Sequence, residues 1–124
     1  MANKRHSVLI IAQSGQLRNG LQVLLTSVSR LNVLAPVESS QAALAQIESQ
    51  PPTSVLIEFD PANSPGLLGQ IKTAWPHIYC VVLVDSLWQQ QAAKTAGADV
   101  TLRQGIAPAD ILTTFEKLAH PPVK

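Results

Sequence analysis

The chain carries little charge and has a single cysteine. Only 14% of its 124 residues are charged and its formal net charge is +1, so no strong field draws it toward nucleic acid or an anionic membrane. Cys80 cannot form an intramolecular disulfide or a cysteine metal cluster, and its place in an apolar run predicts a small buried hydrophobe. We therefore expect a cytoplasmic protein that itself binds neither nucleic acid nor membrane.

Long hydrophobic runs are absent as well. Apolar stretches such as Val8 to Ala12 are far too short to span a bilayer, and the first residues lead into a strand pattern rather than a signal peptide. No repeat or low-complexity linker divides the chain, whose length suits one domain with its own core. We predict a single domain over residues 1–124, in which 121–124 form a tail or the start of a linker.

Motifs for catalysis and cofactor binding are missing. The segment from Gln13 to Leu17 lacks the G-x-G-x-x-G pattern of a dinucleotide-binding loop. His6, His77 and His120 fall in a terminus, a loop and a tail, so they do not gather as metal ligands and are expected to be solvated. We predict no enzyme activity, no cofactor and no metal.

Strand and helix patterns alternate along the chain. Dense aliphatic runs predict strands at residues 7–13, 33–37, 55–57, 79–84 and 100–102. Pro36 indicates that the second strand lies at a sheet edge, because proline cannot donate to a ladder. A helical pattern follows each strand; in the first helix Leu17, Leu21 and Leu25 share one stripe. The alternation predicts one α/β unit with a parallel, doubly wound sheet.

Residues at the predicted helix ends agree with this pattern. Ser14, and either Ser39 or Ser40, stand where a hydroxyl caps a helix start. Gly97 is suited to a left-handed cap at the end of the fourth helix, and Pro108 to the first turn of the last helix. These signals fix the boundaries of the helices more narrowly than apolar spacing alone.

The stretch from Thr53 to Gly66 is the centre of the predicted sheet and carries its acidic groups. Its apolar run ends at Glu58 and Asp60, and turn residues follow before the next helix. In an open parallel sheet, ligands bind at the carboxyl ends of the central strands. Glu58 and its neighbours are therefore the candidate functional groups.

The sequence resembles the receiver domain of two-component response regulators over nearly its whole length. Two stretches carry most of the resemblance: AGADVTL at residues 96–102, with Pro108 beyond Arg103-Gln104, and LLGQIKTAWP at 67–76. A third, RNGLQVLL at 18–25, is similar to the first helix of receivers that precede helix-turn-helix output domains. It implies a flavodoxin-like (CheY-like) sheet of strand order 2-1-3-4-5 with five helices. It also implies a role in signal transduction, phosphorelay or transcription regulation.

The resemblance also implies a phosphorylation pocket, but this sequence departs from it at every position. Receivers hold Mg²⁺ with an acid pair after the first strand, where this chain has Ala12 and Gln13. They are phosphorylated on an aspartate after the third strand, where this chain has Glu58. They bind the phosphoryl group with a hydroxyl after the fourth strand and a lysine after the fifth, where this chain has Val84 and Gln104. Without the acids and the lysine, little compensates the charge of a transferring phosphoryl group. We predict a degenerate receiver, or pseudo-receiver.

Other interpretations of the same region stay open. Asp60 or Asp85 could act as a displaced acceptor in a phosphorylatable regulator, or the crevice could sense a small molecule. Glu58 could mimic the phosphorylated state permanently. We favour the simpler interpretation that the Glu58 carboxylate is paired locally or solvated. A receiver responds to the charge of its phosphoryl group through a switch aromatic on the fifth strand, and Thr101 stands at that position here.

Trp88 is the candidate for partner binding. It begins the fourth helix within the polar stretch Leu87 to Gln91, where it could anchor a partner or fold back over the sheet edge. The resemblance implies a contact face on the fourth helix, fifth strand and fifth helix. Trp88, Gln91, Thr101 and Arg103 are therefore candidate contacts to a signalling protein, an output domain or a second copy in a homodimer.

Overall fold

Strands and helices alternate through the computed structural model of the chain, which describes residues 6–103 and 108–119. The strands are β1 (His6–Ile11), β2 (Leu31–Val33), β3 (Ser54–Glu58), β4 (Tyr79–Val84) and β5 (Val100–Arg103). The helices are α1 (Gly15–Thr26), α2 (Ser40–Ser49), α3 (Ser64–Ala74), α4 (Leu87–Ala96) and α5 (Pro108–Ala119). Gln104, His120 and the predicted tail at 121–124 lie outside the described residues.

The strands form one parallel sheet in the order β2-β1-β3-β4-β5. This confirms the doubly wound α/β architecture and the strand order that the resemblance implied. At the carboxyl ends of the strands, Ile11 pairs with Ile57, and Ile57 pairs with Val82. The strand order reverses between β1 and β3, and folds of this type bind ligands at that point.

Each face of the sheet carries its own hydrophobic core, because successive strand residues point to opposite faces. On one face, α2, α3 and α4 cover side chains such as Leu9, Val55 and Val82. On the other, Leu25 of α1 and Phe115 of α5 cover the alternate strand residues. Within the described residues, no helix is long and apolar enough to cross a membrane.

Capping residues begin three of the helices. The hydroxyl oxygens of Ser14, Ser39 and Ser86 each accept a hydrogen bond from the backbone N–H of the third residue of α1, α2 and α4, respectively. The cap of α2 is therefore Ser39 rather than Ser40, the other candidate. Gly97 ends α4 at φ 121°, as predicted, and a Cβ there would lie 3.0 Å from Cγ of Lys72.

The second strand begins earlier and is shorter than predicted. The sequence placed it at residues 33–37, whereas β2 spans Leu31–Val33. Pro36 interrupts the ladder because it has no N–H, and pairing resumes only at Val37, in an isolated bridge to Ile11. The predicted edge position is confirmed, since β2 lies at one end of the sheet.

The histidine and cysteine environments agree only in part with expectation. Cys80 is fully buried, as predicted, and burial raises the pKa of its thiol to about 11. The expectation of a solvated His6 was wrong. It is partly buried at the start of β1 with its Nε2 enclosed, and burial lowers its pKa. His77 is exposed, as expected.

We expect native Cys80 to resist alkylation at pH 8. With a pKa of about 11, about 0.1% of the thiol is ionised at that pH, against about a quarter in an unfolded chain. Intact mass after treatment with N-ethylmaleimide should show no adduct in buffer and one adduct in urea. Rapid stoichiometric labelling of the folded protein would contradict the buried environment.

Candidate functional site

A crevice of about 310 Å³ opens where β1 and β3 end. Its floor is apolar and includes Ile11, Ile57 and Leu67. Its walls are polar and come from the β1–α1 loop, the start of α2 and the β3–α3 loop; they include Gln13, Glu38, Ser39, Glu58, Asp60 and Asn63. The structure thus brings both predicted acids into one crevice with Gln13.

Glu58 is bonded across the crevice to the β1–α1 loop. Its Oε1 accepts a hydrogen bond of 2.9 Å from the backbone N–H of Gln13 and a longer one of 3.4 Å from that of Ser14. The positive end of the α1 dipole lies at the same place and favours a negative charge there. Hydrogen bonds to an ionised acceptor are stronger than neutral ones. Glu58 is therefore paired with backbone within the domain.

Asp60 shapes the loop that leads into α3. Its Oδ2 accepts from Nδ2 of Asn63 at 2.6 Å, and its Oδ1 accepts from the backbone N–H of Ala62 at 3.2 Å. Its own backbone N–H donates to Oγ of Ser64 at 2.7 Å. Such bonds from an aspartate to the residues just after it stabilise a turn. The carboxylate of Asp60 thus has a structural role at the start of α3.

Gln13 joins the two acids. Its backbone N–H donates to Glu58, and its side-chain Nε2 donates to Oδ2 of Asp60 at 2.8 Å. Receivers carry one of the two metal-binding acids at this position, according to the resemblance. Here the neutral side-chain amide of Gln13 donates to the carboxylate of Asp60. Gln13 therefore makes the contact with this carboxylate that a bound cation would otherwise make.

Arg18 fixes the same loop from the other side. Its Nη1 donates to the carbonyl oxygens of Ala12 at 2.9 Å and Gln13 at 3.0 Å, and its Nη2 lies 3.6 Å from Oε1 of Glu38. The sequence did not identify Arg18 as a site residue. The only signal was its position four residues after the cap Ser14, from which a long cationic side chain reaches back to the loop carbonyls.

Ala12 and Val84 are the remaining predicted pocket positions that the structure describes. Ala12 and Val84 are buried apolar side chains, and Val84 belongs to the core beneath α3 and α4. Asp85 is exposed after β4, and Thr101 is partly buried in β5. Over residues 6–103 and 108–119, no group of three or more His, Cys, Asp or Glu side chains could hold a metal ion.

Trp88 lies on the surface rather than in the core. Its side chain is 63% exposed, and its ring meets that of Phe59 edge-on, with centroids 6.3 Å apart and planes at 85°. The preceding Leu87 is also exposed, as are Gln91 and Arg103. The sequence did not predict the contact with Phe59, which joins α4 to the segment that carries Glu58.

Comparison with known proteins identifies the fold. The structure matches a LuxR-family DNA-binding response regulator from Staphylococcus aureus with a TM-score of 0.81, 16% identity, and coverage of 93% of this chain and 99% of that one. It matches the isolated receiver domain of RcsB from Salmonella enterica serovar Typhimurium with a TM-score of 0.82, 16% identity, and coverage of 97% and 92%.

A third match is a CheY-like response regulator receiver domain protein from Methanospirillum hungatei, with a TM-score of 0.80, 18% identity, and coverage of 93% and 94%. No protein-family model and no curated protein matches the sequence. The chain therefore has the fold of response regulator receiver domains. The resemblance stated from its sequence is confirmed at the level of the fold.

Proposed function

We propose that this chain is a degenerate receiver domain, which transmits a signal by binding another protein and is not phosphorylated by the Mg²⁺-dependent route. The observation that carries the proposal is the pairing of Glu58. At the position of the phosphorylated aspartate stands a glutamate whose carboxylate accepts hydrogen bonds from the backbone of Gln13 and Ser14. The negative charge of Glu58 is thus stabilised by backbone N–H groups of the domain itself.

Weak metal binding follows from the same contacts. Mg²⁺ requires near-octahedral oxygen ligands and gives up its hydration shell reluctantly. Glu58 and Asp60 already accept hydrogen bonds from Gln13, which a cation would have to displace. Ala12, at the other acid position, contributes only a methyl group.

Phosphoryl transfer also lacks its electrostatic support. Such transfer depends almost entirely on positioning and on cations that neutralise the developing charge. Val84 replaces the hydroxyl of the fourth strand and Gln104 replaces the lysine of the fifth. A displaced acceptor at Asp60 or Asp85 would lack the same support, and Asp60 is already bonded to Asn63 and Gln13.

We expect acetyl phosphate with Mg²⁺ to leave the intact mass of the protein unchanged. A receiver with the complete set of pocket residues, treated in parallel, checks that the reagent is active. A gain of one phosphoryl group would refute the degenerate assignment. The variants Glu58→Gln, Asp60→Asn and Asp85→Asn would then identify the acceptor.

We place the protein contact on the surface around Trp88, with Gln91, Thr101 and Arg103 beside it. Exposed aromatic side chains are frequent anchors of protein interfaces. Lys94 is the one charged residue of α4, so the outer side of this helix costs less to desolvate than a charged helix. The partner is a signalling protein, an output domain or a second copy of this chain. The domain is then a binding module rather than an enzyme.

A further inference from the structure

Phe59 connects the crevice to the surface of α4. It stands in the chain between Glu58 and Asp60, the two acids of the crevice. Its side chain is only 6% exposed and belongs to the core beneath α2, α3 and α4. Its ring meets the ring of Trp88 edge-on, with the ring centroids 6.3 Å apart. One residue therefore touches both the acidic segment and the surface assigned to partner binding.

The crevice side of this connection is held at both neighbours of Phe59. Glu58 accepts from the backbone of Gln13, and Asp60 accepts from the side chain of the same residue. The backbone N–H of Phe59 itself donates to the carbonyl oxygen of Leu83 in β4 at 2.9 Å. The bonds of both acids and of the Phe59 backbone therefore act on one short segment, whose ring lies in a close-packed interior.

The α4 side is held by polar contacts at the start of the helix. Ser86 accepts from the backbone N–H of Gln89 at 3.1 Å, and Oε1 of Gln89 accepts from the backbone N–H of Asp85 at 2.8 Å. These bonds fix the first turn, while the side chain of Trp88 projects into solvent. The contact with Phe59 is then what favours one orientation of the Trp88 ring over others.

We propose that Phe59 is a positioning residue that transmits the hydrogen-bonding state of Glu58 and Asp60 to Trp88. Its importance for signalling rests on the proposed function, since it assumes that Trp88 lies in the contact surface. The proposed coupling between the two acids and the Trp88 ring needs no partner, so it can be measured in the isolated domain. An edge-to-face pair of this kind favours the packed orientation by a factor of about two to ten.

The indole N–H resonance of Trp88 in a ¹H–¹⁵N spectrum tests the proposal. The chain has two tryptophans, so Trp75→Phe assigns the signal. We expect Phe59→Leu to move this resonance and Phe59→Tyr to keep it near its original position. Glu58→Gln should also move it when Phe59 is present, and by less than half as much in the Phe59→Leu background, where the ring contact is lost.

Two comparisons make the experiment decisive. Glu116→Gln neutralises an exposed acid of α5, on the other face of the sheet, and should leave the Trp88 resonance in place. An equal effect of Glu58→Gln in both backgrounds, or no effect in either, would overturn the proposal. If Phe59→Leu fails to fold, Phe59→Met provides the same comparison. Because dilute protein is measured without partner or phosphodonor, this result is independent of the mass and association experiments.

Discussion

Truncation of Trp88 to alanine should weaken association by about 2 kcal/mol or more, roughly thirtyfold in affinity, if Trp88 anchors the contact surface. The fold should lose the edge contact with Phe59, a cost of about 0.5 to 1.5 kcal/mol. Because the side chain is 63% exposed, the larger cost of emptying a core position does not apply. Sedimentation and urea denaturation of the same variant separate the two effects.

The neighbouring Leu87 provides a matched control, because it is also exposed at the start of α4. Leu87→Ala should weaken association less than Trp88→Ala. Unchanged association in Trp88→Ala together with a large loss of folding stability would refute the interface assignment. If the unmodified chain stays monomeric at all concentrations, the partner is a different protein and the comparison moves to that complex.

Truncation of Phe115 to alanine should destabilise the fold by about 3 to 5 kcal/mol, the range observed for large aromatic side chains in cores. Phe115 is fully buried, where α5 packs on the sheet beside Val8, Ile10 and Leu56. Small domains have total stabilities of about 5 to 15 kcal/mol, so this loss removes a large share. Urea denaturation followed by circular dichroism measures it.

Val23 offers the contrasting site on α1, since its side chain is 74% exposed. Val23→Ala should change the free energy of unfolding by less than about 0.5 kcal/mol. A loss below about 1 kcal/mol in Phe115→Ala would mean that α5 does not pack on the sheet as described.

The fold was predictable because its elements are defined by local patterns. β4 agrees with its predicted bounds, since its apolar run ends abruptly at Asp85. Gly97 and Pro108 marked the end of α4 and the start of α5 through their backbone preferences. β2 was misplaced because pairing there depends on which backbone N–H groups are free, and apolar patterning contains no such information.

The site was predictable only for residues whose position in the fold determines their role. Glu58 is the last residue of β3 and Gln13 follows β1, so the topology alone brings them together. The contributions of Arg18 and Phe59 were missed because they depend on side-chain reach. Arg18 bonds to carbonyls of a loop, and Phe59 meets a ring on another helix. Neither contact leaves a spacing pattern in the sequence.

The two hydrogen bonds of Gln13 determine what it would cost to build an acidic metal-binding pocket in this crevice. The substitution Gln13→Asp would remove the donor to Asp60 and place a third carboxylate beside Asp60 and Glu58. Without a bound cation, like charges at such short range disfavour each other's ionised forms and destabilise the loop. Ala12→Asp would add a fourth. Stepwise construction of a metal-binding pocket from this crevice therefore passes through less stable proteins, because each added carboxylate is unfavourable until a cation is bound.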